Sequence, residues 1–310
     1  EIFVDEFGRN ICKHALWGVK CRFRKSCEYS HNVPADLREE YKLKRQAEIA
    51  ETRMQREKEL ARPAELPPPQ SEEVERARQE AIIEYDASRF SLCHLVKHLL
   101  ECAEGEKLHD LHKRALPAEQ PPLCPTLIHA WRLAGRHVPK TWASAMRGGR
   151  HSKHLRAMHA SEAYSSWLQG YDVFVREVVL PLFQDPQGIY YQKPPTLRVV
   201  MPGQVASIGI HCDAEYPCHN PTEANIWVPL TPVAGPTALW LESGIDTGDF
   251  RPMALEVGQL LRFNGNRCRH HTVPNTTDGT RVSFDLRVIP ASFVSEPPSR
   301  IGDYGVGFMQ

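Results

Sequence analysis

The stretch IGIHCDAEY, residues 208–216, decides how the second half of this chain is read. It places His211 and Asp213 two positions apart. On an extended strand successive side chains alternate between faces, so the imidazole and the carboxylate leave one side while Cys212 leaves the other. A histidine and a carboxylate on one face are two members of the 2-His-1-carboxylate set that holds non-heme iron(II) and leaves further positions open. An H-x-D pair is common by chance, so the reading needs a third ligand and an anchor for a bound 2-oxo acid. The stretch CRHHTVPNTTDGTRVSFDLR, residues 268–287, supplies both. His270 or His271 completes the triad. Arg281 falls where the next strand returns towards the metal, and its planar fork suits a carboxylate. Ser283, two residues on, adds a hydroxyl on the same face.

Around this centre the texture is that of short strands. After Gln184 come LRVVMPG, VASIGIH, ANIWVPLTP, TALWLES, MALEVGQLLRFNG, HTVPN and RVSFDLRVI, divided by Gly, Pro, Asn and Asp. Such runs predict an antiparallel barrel or sandwich. Asn225 and Trp227 alternate on one of these strands, with Asn225 a candidate lining for the cosubstrate pocket and Trp227 a candidate for the core. Upstream, FSLCHLVKHLLECA and YSSWLQGYDVFVREVVLPLF carry apolar residues at helical spacing and predict core-facing helices over about 73–104 and 152–183. Tyr216 and His219 are candidate substrate contacts. Arg198, Glu223, Glu242 and Asp285 are candidates for orienting the ligands or for structural pairing.

The first 35 residues are too few to build a hydrophobic core, and another device must hold them. The spacing Cys12-x8-Cys21-x5-Cys27-x3-His31 provides three thiolates and one imidazole, the donor set of a closed tetrahedral zinc site. Between Arg9 and Cys27 stand Arg9, Lys13, Lys20, Arg22, Arg24 and Lys25 with no acidic residue. Phe23 and Tyr29 each lie two residues beyond a ligand, where a ring can stack on an unpaired base. This pattern resembles the Cys-Cys-Cys-His zinc fingers of RNA-binding proteins. The resemblance implies zinc on Cys12, Cys21, Cys27 and His31, and RNA contacts from Lys20, Arg22, Phe23, Arg24, Lys25 and Tyr29. From Pro34 a charged, glycine-free stretch predicts an exposed helix capped by Asp36, and ARPAELPPPQSEE then breaks it into an extended linker.

Composition bounds these readings. The chain has 310 residues, with 38 basic and 38 acidic side chains, so it has no bulk attraction to nucleic acid or membrane, and any such attraction is local. Nine cysteines in a chain of this length fit reduced thiols and a metal site better than a disulfide framework. No apolar run is long enough to span a bilayer. These features predict a soluble protein of nucleus or cytoplasm, with an organelle left open because the sequence begins at Glu1.

The motifs around the triad agree in order and spacing: H-x-D-x-x-Y from His211, E-x-N-x-W-x-P-L-T over Glu223–Thr231, L-W-L-E-S over Leu239–Ser243, and H-x-T-x-x-N-x-T-x-x-T-R-V-S-F-D from His270. Together, over about residues 190–290, they resemble the 2-oxoglutarate oxygenases related to phytanoyl-CoA dioxygenase, and within these the streptomycin-biosynthesis-type branch. The resemblance implies a mainly β, double-stranded β-helix fold of the jelly-roll or cupin-like kind. It implies iron(II) on His211, Asp213 and His270, 2-oxoglutarate on Arg281 and Ser283, and dioxygen as the other co-substrate. His270 is preferred to His271 because the pattern puts the ligand first.

The expected organisation is a finger over 1–35, a charged helix and Pro-rich linker over 36–72, and an oxygenase domain over 73–310, helical over 73–185 with its β-helix core over 186–292. The function expected is a dioxygenase brought by its finger to RNA or a ribonucleoprotein. The alternative, of a different class, is an RNA-associated scaffold that keeps the fold without required catalysis; the intact His211, Asp213, His270 and Arg281 favour the enzyme.

Overall fold

The structure is a computed structural model, and it describes residues 3–16, 21, 27–38, 40–41, 71–117, 120–142 and 153–310. The chain forms two compact units, Glu1–Glu65 and Leu66–Gln310.

In the first unit, Val4 bridges to Asn10 and Ile11 to Ser30, and a single helical turn, α1 (Lys13–Leu16), follows Cys12. Ile11, Leu16 and Val33 form a small apolar cluster with Phe3, Ala15, Leu37 and Tyr41 packed on it. The predicted helix starts at residue 35, where the amide of Arg38 reaches back to the carbonyl of Pro34. Asp36 is therefore inside the first turn, not its cap. The rest of that helix and most of the linker lie outside the described residues.

The second unit begins with α2 (Glu72–Ala77), capped by Ser71, then β1 (Ala81–Glu84), α3 (Ala87–Phe90), α4 (Leu92–Leu99), α5 (Pro125–Leu133), α6 (Lys153–His159) and α7 (Glu162–Phe174). There follow β2 (Ile189–Lys193), β3 (Thr196–Val200), β4 (Ala224–Pro229), β5 (Leu239–Leu241), β6 (Arg251–Met253), β7 (Gln259–Phe263), β8 (His270–His271), β9 (Arg281–Pro290) and β10 (Gly305–Met309). The strand ladders are antiparallel. One sheet has seven strands, ordered β1-β7-β4-β9-β2-β10 with β3 also on β9; the other has three, ordered β6-β5-β8. This is a mostly antiparallel β unit with helices packed on one side.

Strand β9 organises it. Its ten residues are all buried, which requires a cover on both faces. Val282, Phe284, Leu286 and Val288 point to the helical side and join the main core. The alternate set, Arg281, Ser283, Asp285 and Arg287, points the other way. On α7, Trp167, Tyr171 and Phe174 recur at helical spacing and meet the ring of Phe284 at 5.4, 6.1 and 5.9 Å between centroids. Across the other face, Trp227, Leu261 and Phe263 of the large sheet pack on Leu239, Leu241 and Met253 of the small one. The inward polar row of β9 therefore lies in a closed space between hydrophobic layers.

Three expectations change here. The segment AIIE, inside the region read as helical, is strand β1 and pairs with β7. GVGFM, beyond the expected end of the core, is β10 and pairs with β2. The strand expected over VASIGIH does not form. That segment is tied at two points: Ile208 exchanges hydrogen bonds with Thr272, and His211 pairs with His270. Three steps on one side oppose two on the other, so the chain bulges between the ties.

Candidate metal centre

His211 and Asp213 reach one place by a different route from that of a continuous strand. After its bridge to His270, the chain turns: the amide of Asp213 donates to the carbonyl of Gly265 at 2.8 Å, and a 3-10 turn begins at Asp213. Cys212 is fully buried away from solvent. One ligand atom from each of His211, Asp213 and His270 lies within 4.8 Å of the others. The Nε2 atoms of His211 and His270 stand 3.7 and 3.9 Å from Oδ1 of Asp213, close enough for one cation to touch all three groups.

The tautomers suit that role. Nδ1 of His211 is 2.9 Å from the carbonyl of Gly209, and Nδ1 of His270 is 3.2 Å from that of Cys268. A carbonyl only accepts, so each Nδ1 carries the proton and each Nε2 keeps a lone pair facing Asp213. Burial pushes the pKa of His270 down to about 4, with Asp213 opposing the shift, so the ring is neutral at ordinary pH. His271, the other candidate, leaves the opposite face of β8. Its ring lies between Trp240, at 6.1 Å, and Phe250, at 4.8 Å.

Asp213 is held on its far side. Asn225 Nδ2 donates to Oδ2 at 2.6 Å, Arg287 Nε to Oδ2 at 2.9 Å, and Arg287 NH2 to Oδ1 at 3.1 Å. Burial opposes ionisation of this carboxyl, but Arg287 outweighs it and holds the pKa well below the usual carboxylate range. Gly265 matters here for its missing side chain, since a Cβ would lie 2.5 Å from the amide of Asn225. Arg287 passes on to Asp285 at 2.6 Å, and Asp285 to Arg198 at 2.5 Å. The inward row is thus a chain of alternating charge.

Arg281 stands outside that chain. It is 2% exposed, its guanidinium donates to the carbonyl of Thr237 at 3.3 Å, and its Nε has no partner. Burial, with Arg198 adding to it, pulls its pKa down to about 9. Ser283 is buried as well, with an unpartnered Oγ. A narrow cavity of about 20 Å³ runs between Arg281, Asn225, Trp227 and His270. A wider cleft of about 770 Å³ lies on the helical side, lined by residues such as Met158, Trp167 and Leu197, and touches none of the triad. Tyr216 stands at the rim, half exposed, its ring 5.4 Å from that of His211. His219 does not face outward: its Nδ1 is 2.7 Å from Glu223, which is fully buried. Glu242 takes the amides of Arg269 and Gly248, bracing the approach to His270.

Sequence reasoning missed Arg287. The signal was present, because two-residue alternation from Arg281 through Ser283 and Asp285 reaches it.

In the first unit, ligand atoms of Cys12, Cys21, Cys27 and His31 all lie within 4.8 Å of one another. The sulfurs of Cys12 and Cys21 are 3.8 Å apart and none of the cysteines is in a disulfide. Zinc–sulfur bonds of about 2.3 Å at a tetrahedral angle put two sulfurs about 3.8 Å apart, so the donors fit that ion. Lys20, Arg22, Phe23, Arg24 and Lys25 lie outside the described residues. Tyr29 is 54% exposed. Arg9, counted in the basic stretch, is engaged by Asp5 at 2.8 Å.

Fold and site together define an antiparallel β unit with a buried His-Asp-His cluster beside an unpaired arginine. No family model matches the chain. It is 34% identical over 127 residues to the streptomycin biosynthesis protein StrG of Streptomyces griseus, a match spanning 41% of this chain and 60% of that protein. The chain therefore covers less than two thirds of that relative. Among solved structures it is similar to CytC3 with Fe(II) and alpha-ketoglutarate, at 14% identity over 76% of this chain and 87% of that one, with a TM-score of 0.37. It is also similar to EvdO2 from Micromonospora carbonacea var. aurantiaca complexed with 2-oxoglutarate, at 15% identity over 75% and 96%, with a TM-score of 0.38. Overlaps this loose carry no weight for the site. Among the described residues no helix is long and apolar enough to cross a membrane.

Proposed function

We propose that this chain is a non-heme iron(II)- and 2-oxoglutarate-dependent dioxygenase, with a zinc-binding Cys3His module that brings it to RNA or a ribonucleoprotein. One observation supports the enzyme above the others. A guanidinium buried without a carboxylate is costly, and Arg281 is held in that state close to a set of metal-ligand side chains. A dicarboxylate ligand relieves that cost. The kinship with StrG is consistent with an oxygenase of this branch.

In this reading His211, Asp213 and His270 hold iron(II). Bound together with 2-oxoglutarate, the metal supplies the oxidising power to hydroxylate an unactivated carbon, with succinate and carbon dioxide as co-products. The protein's own contributions are positional and electrostatic. The two Nδ1–H bonds aim lone pairs at one point. Arg281 receives the carboxylate of the cosubstrate remote from the metal, and Ser283 offers its free hydroxyl. Trp227, Leu239 and Phe263 keep water from the cavity, which strengthens each of these interactions. At its present volume the lining side chains must part to admit a five-carbon diacid.

In the first unit zinc would link the Cys12, Cys21, Cys27 and His31 segments, and Tyr29 would offer a stacking face to an unpaired base. An RNA tethered there would raise the local concentration of a substrate attached to it.

The direct test is an anaerobic titration of zinc-loaded protein with iron(II) and 2-oxoglutarate, read by the visible charge-transfer absorption of the chelate. The reading requires a band that His211→Ala abolishes and Arg281→Ala weakens; folded, zinc-loaded protein without a band would refute it. The recruitment part stands on zinc-dependent binding of single-stranded RNA that Tyr29→Ala reduces.

A further inference from the structure

The far side of the metal carboxylate carries one more assignment. We infer that Arg287 is a positioning residue for Asp213: its planar fork fixes the carboxylate so that Oδ1 alone faces the histidine pair, and metal affinity depends on that fork. This rests on the metal-site reading above.

A carboxylate on a short side chain turns easily about its last torsion, which has a broad, two-fold profile. In that freedom either oxygen, or both, can face a metal. Here the freedom is gone. Arg287 spans both oxygens, through Nε at 2.9 Å and NH2 at 3.1 Å, and Asn225 adds a third bond to Oδ2 at 2.6 Å. Oδ2 is thereby given two donors and turned from the histidines. Oδ1 retains one donor and stands 3.7 and 3.9 Å from the two Nε2 atoms.

The fork is itself anchored. NH1 of Arg287 donates to Asp285 at 2.6 Å and to Gln192 Oε1 at 3.3 Å, and Asp285 is held by Arg198 at 2.5 Å. Five hydrogen bonds from one guanidinium, to Asp213, Asp285 and Gln192, leave it one orientation. Lysine cannot reproduce this, because a single ammonium reaches one oxygen at a time.

A simpler account treats Arg287 as a structural counter-charge. The two accounts predict opposite signs. A positive charge near a cation site repels the cation, so as a mere charge Arg287→Met tightens binding of a divalent ion and Arg287→Lys leaves it unchanged. Positioning predicts weaker binding in both, by roughly 10- to 100-fold, the usual cost of losing a partner behind a metal ligand.

The experiment is a titration of the full, zinc-loaded chain with manganese(II) in the presence of 2-oxoglutarate. The free ion is read by electron paramagnetic resonance, and thermal melting is followed in parallel. Manganese prefers oxygen and nitrogen donors, so the thiolate site stays silent. The inference requires wild type to bind one ion, with affinity reduced in Arg287→Lys and in Arg287→Met. Unchanged affinity in Arg287→Lys, or tighter binding in Arg287→Met, overturns it; a lowered melting temperature with unchanged affinity marks a structural role only and overturns it too. If Arg287→Met fails to fold, Arg287→Lys decides alone. Wild type that binds no manganese refutes the metal-site reading itself, a different failure from that of the fork.

Discussion

Arg281 stands with its guanidinium carbon 6.0 Å from the ring centre of Trp227, and the carbonyl of Thr237 is its hydrogen-bond partner among the described residues. An aromatic face offsets only part of the desolvation of a cation. The ligand-free protein therefore holds Arg281 at a cost to its stability. Replacing a buried ionic group with an apolar one of similar volume is often neutral or stabilising, by about 1–4 kcal/mol. Arg281→Met should melt at or above wild type without ligand, and lose the stabilisation that 2-oxoglutarate gives wild type in the presence of manganese(II). A variant that melts lower yet still responds to 2-oxoglutarate contradicts this account.

His270 gives the metal-free protein a pH dependence of known sign. Its folded pKa is about 4, against 6.5 for an ordinary histidine. Between those values the unfolded chain binds a proton that the fold resists, so the stabilisation is complete above about pH 6.5 and is lost as pH falls towards 4. The size is roughly 3 kcal/mol. Urea unfolding of metal-free protein at several pH values across this window should show a steeper loss in wild type than in His270→Gln. Parallel profiles would remove His270 as the cause.

Phe284 is fully buried at the junction of β9 and α7, touching three aromatic rings of that helix. Truncation leaves a cavity that these large rings fill poorly. Phe284→Ala should cost about 3–5 kcal/mol by denaturant unfolding. A loss below about 1 kcal/mol would mean that the helices do not pack on this face of the sheet.

Much of this arrangement was legible because period-two alternation and helical spacing survive wherever an element has two distinct sides. RVSFDLRVI shows it: apolar residues face the helices, polar ones the cavity. The same rule failed where short range did not decide the outcome. Ala81–Glu84 is strand because the free edge of β7 receives it, and Gly305–Met309 because β2 does. Neither run has a strong pattern of its own. The segment before His211 reads as strand, yet side-chain bonds from Thr272 set its path. At the site, the pair His211 and Asp213 was readable from spacing, whereas the grip of Arg287 across 74 residues of sequence was not sought beyond the first arginine of its strand.

The Cys3His module makes the last prediction. Its apolar cluster has three buried members, Ile11, Leu16 and Val33, far fewer than a core needs to hold a peptide of this size unaided. Metal binding is then the main source of its folding free energy, on the order of 10 kcal/mol for a structural zinc ion. Purified protein should carry one zinc per chain by elemental analysis, and Cys27→Ser should lose most of it. Chelation should collapse the amide chemical-shift dispersion of residues 3–38, and zinc should restore it. Two-dimensional NMR of the full chain reports both changes. Dispersion that persists in metal-free protein would show that the hydrogen bonds around Asp5 and the Ile11–Ser30 bridge suffice to fold the module, and zinc would then be a passenger and not its core.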